Sequence, residues 1–303
     1  MIRVGPAGWS YPDWEGIVYP RRKPKGFHPL RQLARWFDVV EINSSFYGTP
    51  SARNAAQWVE LVRERPRFRF TAKLQQTFTH ESLERDAREL DRDVRAFHDG
   101  LQPLADAKWL AALLVQFPHS FRRDERGEAR LRWISERFGG WPLVLELRHR
   151  SWFAPEPLAL VRGLGYTLCG IDLPREADRP HEDDLAGVGE RIAPRALAYL
   201  RLHGRNAAAW FDPRAGRDQK YDYLYAPDEL REIVEATQRL ARGADDTFVI
   251  TNNHFSGKAV ANALELLASL GDDTVLGPVE LLDAYPRLRA CVRPDGQDSL
   301  FAP

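Results

Sequence analysis

The chain has 303 residues, 44% apolar and 28% charged, a balance that suits a globular protein with room for a sizeable core. Its 43 Lys and Arg residues cancel its 43 Asp and Glu residues, which disfavours nucleic acid or an anionic membrane as partner unless a local patch supplies the attraction. The two cysteines, Cys169 and Cys291, exclude a disulfide framework, MIRVGPAGWS lacks a signal-peptide pattern, and WLAALLVQF is too short to cross a bilayer, so a cytoplasmic location is expected.

Short β-type runs alternate with helix-period segments along the chain. IRVGPAGW (2–9) comes first, and VVEIN (39–43) is followed by SARNAAQWVELVRERP, with Ser51 as its helix start. FRFTAKL (68–74) leads to the segment from DAREL to FHDGL, and LAALLVQF (110–117) leads to EARLRWISERF. PLVLELR (142–148), YTLCGID (166–172) and ALAYLRLH (196–203) come next, then PDELREIVEATQRLAR with Asp228 as its start. TFVITNN (247–253) precedes GKAVANALELLASLG, bounded by Ser256 and Gly271.

Eight strands with following helices predict an α/β fold: a single-domain parallel (β/α)8 TIM-type barrel over residues 1–289. A long polar loop is expected at about 174–194 between the sixth and seventh strands. A second rim loop is expected at about 204–225, and a loose tail over 290–303. The competing doubly wound sheet lacks its glycine-rich turn, because GPAGWS is not GxGxxG.

Strand alternation sorts the polar residues. Glu41 and Asn43, Lys73 after Thr71, Gln116, Glu146 and Arg148, Arg201 and His203, and Asn252 each share one face of their strand, while Asp172 ends the sixth. Helix-facing sides must be apolar, so these residues point inward at the C-terminal rim, where barrel enzymes hold their sites.

GWSYPDWEGIVYP, VEINSSFYGTP, FTAKL with its later TH, LVQFPHSF, LELRHRSW, YLRLHGR and TNNH follow one another in order. Together they resemble the YecE-like family, catalogued among domains of unknown function. The resemblance covers nearly the whole chain and implies a TIM-type barrel, but it implies no reaction. GPAGWS departs from the pattern, with Pro6 and Ala7 where the family usually shows small polar residues.

The chemistry is therefore read from the rim itself. Glu146 is the first candidate for general acid or base and Glu41 the second, with Asp172 a third carboxylate; the plainer reading is that Glu146 neutralises Arg148 or Arg201. His203 is a candidate proton shuttle, because an ordinary imidazole titrates near working pH. Lys73, Arg148, Arg201 and Arg205 make an anion clamp, supplemented by Asn43, His80, Gln116, Asn252, Asn253 and His254. Trp9, Tyr11, Trp14, Tyr47 and Trp152 are either stacking platforms or loop anchors.

These residues favour a hydrolase acting on a phosphate- or sugar-bearing substrate, a small anionic ligand, without a cofactor. Nucleic-acid binding, metal-dependent phosphodiester cleavage and non-catalytic anion binding are the alternatives. Against a divalent metal stand the missing HxH and HExxH spacings and the neighbouring arginines.

Overall fold

Strands and helices alternate as the sequence periods dictate in the computed structural model, which describes residues 1–174, 197–271 and 274–296. The barrel strands are β1 (Ile2–Pro6), β2 (Val39–Ile42), β3 (Arg69–Lys73), β4 (Leu110–Gln116) and β5 (Leu143–Glu146). Then come β6, in two pieces (Thr167–Leu168 and Gly170–Asp172), β7 (Leu197–Leu202) and β8 (Asp246–Thr251). All neighbouring pairs are parallel, in the order β2-β3-β4-β5-β6 on one side and β6-β7-β8-β1 on the other.

Two seams join these runs into a ring. At Cys169 the backbone N–H donates to Leu145 O at 2.9 Å, so β6 bridges β5 and β7. At the other seam Ala7 pairs with Glu41, and Gly8 N–H donates to Glu41 O at 2.8 Å. The fold is a parallel (β/α)8 barrel of the TIM type.

The helices of eight or more residues among the described ones are α1 (Pro29–Trp36), α2 (Ala52–Val62), α3 (Ala87–Asp106), α4 (Glu125–Phe138), α5 (Pro155–Gly163), α6 (Pro227–Ala241) and α7 (Lys258–Ser269). Ser51 caps α2, its Oγ accepting from Asn54 N–H at 3.4 Å. Asp228 lies inside α6 rather than before it, because Pro227, with its fixed φ, takes the first helical position. Ser256 does not cap α7: it has φ +52° and is followed by Gly257 at φ +76°. A Cβ on Gly257 would meet Val18 Cγ2 at 2.9 Å, so the left-handed turn that launches α7 needs glycine.

Alternation divides the apolar core in two. Ala7, Val39, Ala112, Leu114, Val144, Ile171, Tyr199, Phe248 and Ile250 fill the barrel, while Val40, Ile42, Leu113, Leu145, Leu200, Leu202 and Val249 pack outward against the helices. The interior is apolar only up to mid-height, and the polar residues above it form the site.

The loop expected at about 174–194 lies, beyond Pro174, outside the described residues. The tail expected after Arg289 is structured as far as it is described. Val292–Pro294 (β10) pairs in parallel with Val275–Gly277 (β9), and buried Asp295 accepts from Arg35 Nη2 at 2.6 Å and Trp36 Nε1 at 2.8 Å. A three-residue strand carries no readable period, and Asp295 reads as a solvated acid until α1 is placed beside it. Asp295→Ala leaves the Trp36 N–H and Arg35 without their acceptor, and thermal melting is expected to show a loss of about 2–3 kcal/mol.

Candidate ligand site at the barrel mouth

Arg201 is buried on β7 at 1% exposure, between two carboxylates that are wholly buried, Glu41 on β2 and Glu146 on β5. It donates from Nη2 and Nε to the two oxygens of Glu41, at 2.7 and 3.1 Å, and from Nη1 to Glu146 Oε2. Tyr199 OH donates to Glu41 Oε2 at 2.9 Å, and Thr71 Oγ1 lies 2.8 Å from that hydroxyl. Arg148 donates from Nε to Glu146 Oε1 at 2.8 Å. Unpaired charges could not survive here, so the acids and guanidiniums satisfy one another.

The electrostatics follow from that packing. Burial alone would raise the Glu146 carboxyl, but Arg201, then Arg148 and His203, hold it well below the usual carboxylate range. Burial pushes His203 down to about 3 despite Glu146 Oε1 at 3.6 Å, so its ring is neutral at pH 7. The ring Nδ1 is 3.0 Å from Asn252 Nδ2.

Above this layer opens a cleft of about 570 Å³. Its aromatic lining is Trp9, Tyr11, Phe46, Tyr47, Trp58 and Tyr221, and its polar lining includes Asn43, Lys73, His80, Gln116, Arg217, Asn252 and His254. Local turns set these groups. Tyr11 OH donates to Ala7 O at 2.7 Å, and its ring stacks on His254 with centroids 4.5 Å apart. Gly204, at φ +90°, turns the chain off β7 where a Cβ would meet Tyr223 Cβ at 2.6 Å, and starts the loop that carries Arg217 and Tyr221. Asn43 Oδ1 and His254 Nδ1 are buried without a hydrogen-bond partner among the described residues.

The family model described as "Protein of unknown function DUF72" matches residues 3–282. The chain belongs to this DUF72 family. It is 30% identical to UPF0759 protein YunF of Bacillus subtilis over 285 residues, covering 89% of this chain and 95% of YunF. It is 29% identical to UPF0759 protein YecE of Escherichia coli K12, covering 99% of this chain and 100% of YecE. A solved DUF72 family structure from Thermotoga maritima superposes with a TM-score of 0.73 at 31% identity, covering 90% of this chain and 100% of that one.

Within this DUF72 barrel, Trp9, Tyr11, Asn43, Tyr47, Lys73, His80, Gln116, Asn252 and His254 line the cleft. Glu41, Glu146, Arg201 and His203 lie together, sealed beneath it. Arg148 is occupied by Glu146. Five residues expected at the site lie elsewhere. Asp172 points outward because Ile171 and Leu173 are the inward residues of β6; it accepts from Tyr225 OH at 2.7 Å and from Arg205. Arg205 is held there, also reaching Glu229 and Glu232 on α6. Asn253 follows inward-facing Asn252 and so turns to Tyr223 O and Asn262. Trp14 is fully buried, donating to His254 O at 2.7 Å, and Trp152 donates to Phe121 O at 2.9 Å, so both are anchors.

The cleft residues unforeseen from sequence include Trp58, Arg217 and Tyr221. Trp58 sits at an apolar helix position, and the rim segment of the other two showed basic and aromatic residues without a period to orient them. Among the described residues, no three His, Cys, Asp or Glu side chains gather as metal ligands, and no helix is long and apolar enough to span a membrane.

Arg201→Met strands two carboxylates in the barrel and is expected to cost about 3–5 kcal/mol in urea denaturation, most of it recovered when Glu41→Gln and Glu146→Gln are added. A second expectation concerns pH. His203 and His254 titrate at about 3 and about 4 in the folded chain, both lowered first by burial, against 6.5 ordinarily. Below pH 6.5 the unfolded chain takes up protons that the folded chain refuses, so their contribution is complete above pH 6.5 and drains as pH falls towards 3–4. The slope is up to about 1.4 kcal/mol per pH unit for each group. Urea midpoints measured between pH 7 and 5 are expected to decline, and His203→Asn to flatten that decline.

Proposed function

We propose that this protein is an enzyme for a small polar metabolite bearing a ring and an anionic group such as phosphate, bound in the mouth cleft. The observation that carries this reading is the composition of the cleft: aromatic rings interleaved with polar groups, Arg217 among them, and the unpartnered Asn43 Oδ1 and His254 Nδ1 in the same lining. Ring faces bind sugar or base planes, the Arg217 guanidinium binds the anion, and buried unpaired atoms gain by meeting a ligand's polar groups.

Hydrolysis by a Glu146–Glu41 pair does not fit this geometry. One guanidinium fills the space between those carboxylates, and neither is exposed, so a glycosidic bond has no place to sit between them. The reacting groups belong instead to the cleft wall. A small ligand is also favoured over a nucleic-acid backbone: within the basic RRKPK stretch, Lys23 pairs with Glu15, and the net charge is zero.

Thermal-shift measurements with sugar phosphates, nucleoside monophosphates and the parent neutral sugars test this reading. A fitting anionic ligand at a hundred times its Kd is expected to add about 2.7 kcal/mol of stability, and its neutral parent much less. Trp9→Ala and Arg217→Ala should weaken that stabilisation at least tenfold in apparent affinity. No shift with any phosphorylated member of the panel, or one unaltered by both substitutions, would overturn the assignment.

A further inference from the structure

Lys73 is the last residue of β3, facing inward two residues after Thr71. Its side chain is 8% exposed, yet no carboxylate among the described residues comes within 4 Å of Nζ. The two acids beneath it are already engaged, Glu41 by Arg201 and Tyr199, and Glu146 by Arg201 and Arg148. The amine lies over the face of Phe46, with Nζ 3.9 Å from the ring centroid. Lys73 also lines the cleft, next to Gln116, Asn43 and His80.

This is an unusual setting for a lysine whose task is to hold an anion. A clamping ammonium is solvated or paired, whereas an amine stripped of water, flanked by cations and open to a ligand cavity is the arrangement that makes lysine a nucleophile. The electrostatics agree with the geometry: burial first, then Arg201, pushes Lys73 down to about 7 against the opposing pull of Glu41 and Glu146. A substantial share of the amine is therefore unprotonated at neutral pH.

We propose that Lys73 captures a carbonyl, and that the substrate class of the cleft is an aldehyde or ketone that also carries an anionic group. The Nζ lone pair attacks the carbonyl carbon, forming the C–N bond as the C=O π pair moves to oxygen, which takes a proton. The nitrogen then loses one proton, the hydroxyl takes one and departs as water as the C=N bond forms, and the nitrogen gives up its remaining proton. The sum is amine plus carbonyl giving imine plus water, with no net oxidation or reduction. The amide groups of Gln116 and Asn43 line the same cleft and can donate to the oxygen as it gains charge. This proposal rests on the mouth being the ligand site and names the substrate class and nucleophile there.

Reductive trapping tests it. The full-length protein is incubated with glyceraldehyde 3-phosphate, reduced with sodium borohydride, and read by intact mass and peptide mapping. One adduct per chain is expected, on Lys73, forming at pH 7 at least tenfold faster than on any of the other five lysines. Its rate should rise through about pH 7 as the amine loses its proton. Lys73→Arg keeps the charge and should abolish that adduct, and Lys73→Met fills the apolar niche without an amine and controls for folding by its melting profile. Labelling spread evenly over the lysines, or the same mass shift in Lys73→Arg, overturns the proposal. If a non-carbonyl sugar phosphate still stabilises the wild type while no adduct forms, the carbonyl chemistry falls and the ligand site stands. If Lys73 is trapped selectively while no anion stabilises the fold, the anion-binding reading falls instead.

Discussion

One guanidinium organises the inside of this barrel. Arg201 reaches across from β7 to Glu41 on β2 and Glu146 on β5, so strands that are not neighbours in the ring share a cross-brace. Apolar residues could fill the same volume with less desolvation cost, and buried ion pairs are weak evidence for stability in themselves. What the brace supplies is position. Each partner is fixed by several bonds at once, with Tyr199, Thr71 and Arg148 completing the set, so the floor of the mouth has one geometry.

That closure divides the polar residues by role. The acids and arginines of the brace are engaged with one another rather than held out to a ligand. Lys73 is left without a counter-ion of its own, and the amides of Asn43, Gln116 and Asn252 stand above the brace with it. The floor is therefore close to neutral, and selectivity passes to the walls and to the rim loop that carries Arg217 and Tyr221. A barrel that spends four charged residues on rigidity has fewer, better-defined groups to offer its substrate.

Much of this was legible in the sequence because it follows from period. Two-residue alternation put Glu41, Lys73, Gln116, Glu146, Arg201, His203 and Asn252 inside, and the alternation of strands with helices gave the barrel. Period fails where a strand is short or broken. The interruption of β6 at Cys169 hid that Ile171, and not Asp172, faces inward, and with Asp172 went Arg205. Period also says nothing about mutual distance, so residues rightly placed at one height could not be sorted into a sealed brace and an open cleft. The imidazole of His203 reads as a pH-sensitive group in a sequence, whereas full burial makes it a neutral one.

The latch at the C-terminal end has a bearing on how the protein is made. Asp295 grips Arg35 and Trp36 on α1, and β1 itself lies between β2 and β8, with Arg3 paired to Asp246. The βα unit of β1 and α1 thus waits for β8 and Asp295, more than 200 residues later in the chain, before its edge and its helix are both covered. Its strand edge is unpaired during that interval and open to mispairing, which gives a chaperone something to protect there.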